Sequence, residues 1–235
     1  MPLDRYSGVK IILTSIEGIM TGSSYSADVM DPYITKTLPD YIWDHETDLA
    51  DKLDEVRTDE RNPTLNTQEV IEVLLRYQSD AQHTSVSQTL RCEVLSQGYK
   101  AGFLDVHIYE DALRAVKRWH DQGRRLYACE TFSKKEQDLL LASAQPNIST
   151  IFSGFFELHN GEQTTSHSYE RIAAEIGLTP SGILYLTDDP EEALSASDAG
   201  MKTIIIDRQN SIENAHGLRI ESDCDRICLQ ETVPA

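Results

Sequence analysis

The stretch Val9-Lys10-Ile11-Ile12-Leu13-Thr14-Ser15-Ile16-Glu17-Gly18-Ile19-Met20 decides how the chain is read. Residues 9–14 are mostly apolar and rich in β-branched side chains, the composition of a strand buried on both faces. Gly18 follows at once and lets the backbone turn sharply. In open α/β sheets ligands bind outside the carboxyl ends of the strands. Ser15 and Glu17 are therefore expected to face a crevice.

Outward from this strand, residues 21–27 read as a polar link. Residues 28–43 read as a helix with apolar positions Val29, Tyr33, Ile34 and Leu38, kinked or ended by Pro39. From residue 45 to about 102 the spacing predicts three further helical faces. They are marked by Leu49, Leu53 and Val56; by Val70, Ile71, Val73, Leu74 and Leu75; and by Leu90, Val94 and Leu95. The α/β alternation then resumes, with helices over 109–122, 134–144, 166–177 and 191–199. The intervening strands are 125–129, a short one within 151–158, then 182–186 and 203–206, with an edge strand at 218–220. Alternation of this kind implies right-handed crossovers and a mainly parallel sheet. The expected architecture is a Rossmann-like α/β core of residues 1–22 and 104–235, with residues 23–103 inserted as a helical cap.

Composition narrows the function. The 235 residues are 40% hydrophobic and 26% charged, ordinary for a soluble globular protein. A net charge of −18 would repel nucleic acid and anionic membrane surfaces, so neither is expected as a partner. No apolar run reaches membrane-spanning length, and MPLDRYSGVK has no signal-peptide core. The four cysteines are scattered, and Cys224 and Cys228 have a spacing that suits neither a zinc ribbon nor a redox pair. Reduced thiols in a cytoplasmic protein are expected.

Three long segments carry a resemblance: ILTSIEGIM with VMDPYITKTLPDYI, then residues 98–128, then residues 152–204. Together they resemble the haloacid dehalogenase-like superfamily and, within it, the enolase-phosphatase (acireductone synthase) family of methionine salvage. The resemblance implies an α/β core with a helical cap. It also implies an enzyme that enolises and dephosphorylates a diketone phosphate derived from methylthioribose. In that chemistry an aspartate attacks phosphorus and an acid two positions on handles the proton. A serine and a lysine hold the phosphate, and a late aspartate helps to hold magnesium.

Carried over residue by residue, the resemblance implies a changed site. The nucleophile position is Ser15, while the acid is kept as Glu17. Glu130-Thr131 stands in place of the phosphate-binding serine pair, Phe132 replaces a glycine, and Gln163 replaces the phosphate lysine. Two cap lysines are replaced by His83 and Gln88. Asp188 keeps the metal carboxylate, with Asp189 beside it. A serine binds magnesium poorly, so the implied Mg2+ site is weakened. Glutamine lacks the point charge of lysine. A carboxylate about 4 Å from a phosphate oxygen would repel it by roughly 4 kcal/mol at an intermediate dielectric.

The expected reading is a non-phosphatase, either a pseudoenzyme or a binding protein for a small polar molecule. Glu17 and Glu130 are its candidate acid–base residues; Ser15, Thr131 and Gln163 its ligand contacts; and Asp188 and Asp189 its candidate metal carboxylates. The alternatives are an enzyme retaining enolisation-type chemistry, or a divergent acireductone synthase.

Overall fold

The chain's first strand, β1 (Ile11–Thr14), is buried at every residue, as a strand with helices on both faces requires. The computed structural model describes residues 6–80, 84–159 and 161–229. His83 lies outside the described residues. Five more strands follow: β2 (Arg125–Glu130), β3 (Phe152–Glu157), β4 (Ile183–Thr187), β5 (Lys202–Ile206) and β6 (Arg219–Glu221). They form one sheet of order β3-β2-β1-β4-β5-β6, parallel at every pairing.

This is the α/β, Rossmann-like fold that the alternation predicts. The strand order runs outward from β1 to β2 and β3, then restarts on its other side at β4. The loops after β1 and β4 thus diverge, which is where open α/β sheets form their ligand crevice.

The helices are α1 (Asp31–Asp44), α2 (Ala50–Asp59), α3 (Thr67–Ser79), α4 (Ser85–Lys100), α5 (Glu110–Asp121), α6 (Lys134–Ser143), α7 (Ser166–Ile176) and α8 (Pro190–Asp198). The chain divides into two compact units, one holding the sheet with α5 to α8, the other formed by Ser24–Asp105. In the sheet unit Leu13, Cys129, Phe156, Tyr169, Ile172 and Tyr185 belong to one buried cluster. In the helical unit the core is supplied by Ile34, Leu38 and Ile42 from α1, Leu53 and Val56 from α2, Val70 and Leu74 from α3, and Leu90 and Val94 from α4, whereas Val29, Tyr33, Val73 and Leu75, which the spacing also places on apolar faces, are only partly buried. A capping box between Asn66 and Glu69 starts α3, satisfying amides that the first helical turn leaves open.

Three expectations are corrected. Strand β1 begins at Ile11 instead of Val9, where its register partners Arg125 and Ile183 begin, although the Lys10 amide already donates to the Gly182 carbonyl at 2.9 Å. The second segment opens with a π-helical turn, Ser26–Met30, before α1 begins. Pro39, expected to kink or end the helix, lies inside α1, so the helix does not end there. The missing amide bond costs about 3 kcal/mol, and burial of Leu38 and Ile42 on the same face offsets it.

Candidate active site

Beyond Thr14 the ladder continues for one residue, with the Ser15 amide donating to the Leu186 carbonyl at 2.9 Å. Side chains alternate along a strand, so Ser15 shares a face with Leu13, whose register partner is Tyr185. The Ser15 and Tyr185 hydroxyls lie 3.1 Å apart. Tyr185 donates its only hydroxyl proton to Glu192 Oε2 at 2.9 Å, and Thr187 donates to the same oxygen at 2.7 Å. Ser15 must then be the donor to the Tyr185 oxygen. The result is a directed chain from Ser15 through Tyr185 to Glu192. Ser15, Tyr185 and Thr187 are 6%, 1% and 0% exposed, so water does not compete for these bonds. Burial raises the Glu192 carboxyl above its usual range, against the two hydroxyl bonds that lower it. Burial likewise pushes the Tyr185 phenol well up, and the Glu192 charge adds to it.

Glu130, the last residue of β2, reaches across to the turn after β1. One of its oxygens, Oε1, accepts the amides of Ile16 and Glu17 at 2.5 and 2.8 Å. The Glu130 carboxyl is pushed well above its ordinary value, first by burial and then by the neighbouring Glu17 carboxylate, while the two amides oppose the shift. Glu17 itself is partly exposed, and its backbone bridges to Thr21. The turn needs Gly18. Its φ is +72°, and a β-carbon there would fall 2.0 Å from Asp188 Oδ2. Asp188 packs directly on the glycine. Burial raises its pKa, and a bond from Ser23 lowers it in part.

The remaining sequence-derived candidates have other surroundings. Asp189 Oδ1 accepts the amides of Glu191 and Glu192 at 2.7 and 3.2 Å and so caps α8. Thr131 is partly exposed in the bend after β2, and Phe132 beside it is buried. Gln163 lies in the turn beyond β3, where its carbonyl accepts the Tyr169 hydroxyl at 2.9 Å. Ser15, Glu17, Glu130 and Asp188 converge through the contacts above.

An arginine that the sequence reading passed over holds the turn from behind. Arg208 donates to the carbonyls of Gly18 and Ile19 at 3.1 and 2.7 Å and grips Asp111 with both terminal nitrogens at 3.0 Å. Its guanidinium lies 4.1 Å from the centre of the Tyr109 ring. Gly18, Ser23, Tyr109, Asp188, Asp207 and Arg208 line part of a cavity of about 270 Å³.

No family model matches the sequence. Individual proteins do. The chain is 34% identical over 211 residues to Enolase-phosphatase E1 of Pseudomonas fluorescens (strain Pf0-1), spanning 88% of this chain and 93% of that protein. The chain belongs to the enolase-phosphatase family. A second member, Enolase-phosphatase E1 of Erwinia tasmaniensis, is 33% identical over 222 residues, covering 93% of this chain and 96% of the relative. Among solved structures, the UTR4 protein of Saccharomyces cerevisiae superposes with a TM-score of 0.80 at 21% identity, over 93% of this chain and all of that one. CbbY of Rhodobacter sphaeroides, solved in complex with phosphate, gives a TM-score of 0.59 at 12% identity, covering 93% and 96% of the two chains. These likenesses show the fold.

In this enolase-phosphatase family member the donor set does not fit a tightly held magnesium ion, which asks for an octahedron of oxygens at about 2.0–2.1 Å. The Ser15 hydroxyl is committed to Tyr185, and Glu130 Oε1 to two amides. Among the described residues no three His, Cys, Asp or Glu side chains form a group that could hold a metal ion. Glu192 and Tyr185 escaped the sequence reading because their role depends on strand register. One signal was present: Glu192 follows Asp188 by four residues, one turn along a helix opened by Asp189-Pro190.

Proposed function

We propose that this enolase-phosphatase family member does not hydrolyse phosphate esters, and that its crevice takes a small polar molecule in the cytoplasm. One observation carries the reading. The hydroxyl that stands where covalent chemistry would begin donates inward to Tyr185, whose own proton goes to Glu192. A serine is a weak nucleophile unless a base takes its proton. Here the accepting atom is a phenol oxygen whose pKa is pushed far up, so Ser15 gains no activation from it. The net charge of −18 disfavours nucleic-acid and anionic-membrane partners, and no described helix is long and apolar enough to cross a membrane. The test is turnover of p-nitrophenyl phosphate and of a diketone phosphate with magnesium present. The expected result is release of phosphate at the solvent background; release abolished by Asp188→Asn overturns the proposal.

A second reading is favoured by the Glu130 geometry. With Oε1 fixed by two amides and protonation favoured, Oε2–H is free to donate to a substrate carbonyl while Glu17 removes a proton from the adjacent carbon. Hydrogen–deuterium exchange at the α-carbon of a small diketone, followed by NMR, reads this activity directly. It should disappear in Glu17→Gln. Exchange at the uncatalysed rate in the unmodified protein excludes this reading.

A further inference from the structure

We infer that the Glu130 side chain is a resident ligand of an oxyanion-binding nest, and that it closes this site to phosphate and other tetrahedral oxyanions. The inference rests on the non-phosphatase reading above and gives its physical cause. Two successive backbone amides, of Ile16 and Glu17, point at one carboxylate oxygen. Converging amides in a turn form a concavity that attracts anions, and Gly18, in the left-handed region, completes the turn. Such a nest binds whichever anion reaches it. Here the occupant is a carboxyl oxygen from the end of the neighbouring strand, 113 and 114 residues away in sequence, and it is tethered in place. A free anion must displace a group that pays no cost of association, and it must also sit beside Glu17. Thr131, the next residue, carries a neutral hydroxyl, and both amides donate to Glu130. Glu130 is therefore the group whose removal opens the site.

The clearest test compares binding of inorganic phosphate, by calorimetry, to the unmodified protein, Glu130→Ala and Glu130→Gln. The unmodified protein should show no saturable binding. Glu130→Ala should gain binding by roughly 10- to 100-fold, the worth of a charged hydrogen bond made available to the ligand. Glu130→Gln, whose side-chain carbonyl can still accept both amides, should stay closed. A folded Glu130→Ala with no gain, or saturable phosphate binding by the unmodified protein at that same affinity, overturns the inference.

One readout needs no variant. In the unmodified protein the Ile16 and Glu17 amide protons should resonate at low field and exchange slowly, as short hydrogen bonds to a fixed acceptor require. Fast-exchanging amides at ordinary positions overturn the inference even if Glu130→Ala does not fold. Phosphate-ester turnover is measured alongside on the same samples. Turnover by the unmodified protein defeats the non-phosphatase proposal, whereas a closed, inactive site whose Glu130→Ala form still rejects phosphate defeats only the nest.

Discussion

At the scale of single residues, Ser15 shows how a side chain's identity and its direction combine. Leu13, Ser15 and Tyr185 lie on one face of the sheet, and the half-buried Glu192 carboxyl terminates the chain that Ser15 begins. Changing Ser15→Asp places a second carboxyl into surroundings already built around one. The substitution is expected to lower stability by about 2 kcal/mol or more and to leave phosphate-ester turnover at background. Denaturant unfolding and a phosphatase assay on the same preparation check both halves. Recovery of turnover by this single change would show that Glu130 does not keep phosphate out. That Ser15 marks the site was legible in the sequence, because the strand and its glycine turn are local features. Its hydroxyl's destination was not, since no local pattern sets the register of β1 against a strand 170 residues later.

At the scale of elements, most boundaries follow from periodicity and caps. Ser133 caps α6 with Glu136 in return, as the Ser-x-x-Glu pattern implies, and Gly177 ends α7 in the left-handed conformation. Pro39 misleads because the proline rule concerns a local hydrogen bond, while α1 is held by its buried face. Asp189 belongs here too. Read beside Asp188 it invites a metal role, yet the structure uses it as the N-cap of α8. Asp189→Ala is expected to destabilise the protein by about 1 kcal/mol, with Asp189→Asn close to the original. Urea unfolding with an unchanged slope is the measurement. A loss of Mg2+ affinity in Asp189→Asn, without loss of stability, would restore the metal role.

At the scale of the whole molecule, two sets of carboxyls give stability a maximum in mild acid. Glu130, Glu192 and Asp188 have raised pKa values, chiefly from burial. The folded chain keeps protons there that the unfolded chain releases near the ordinary values of 4.5 for Glu and 3.8 for Asp. Their contribution is full below those values and is lost as pH rises through the folded pKa. For Asp111, burial is outweighed by the Arg208 and Cys224 bonds; for Asp207, by backbone amides. Both stay below 3.8, so their contribution is present above it and lost on acidification. The net charge of −18 acts in the same direction as the first set. The thermal midpoint is expected to peak near about pH 5 and fall towards pH 8; a midpoint that climbs steadily to pH 8 contradicts this. The fold was open to sequence reasoning because strand and helix periods are written locally. The electrostatic character of the crevice was not, because it arises from carboxyls at the end of β2, just after β4 and on α8, three places far apart in sequence.

The grip of Arg208 on the turn has a consequence for how such a site changes over time. It holds the carbonyl oxygens of Gly18 and Ile19, atoms that every residue type supplies. Glu130 likewise holds backbone amides. A fastening made to the main chain is blind to what the side chains are. Glu17, the partly exposed residue of the turn, can be rewritten while the path of the backbone stays fixed, so chemistry and architecture are inherited separately at this point. A library randomised at Glu17 should consequently yield mostly folded protein, whereas Arg208→Ala, with that side chain intact, should loosen the turn.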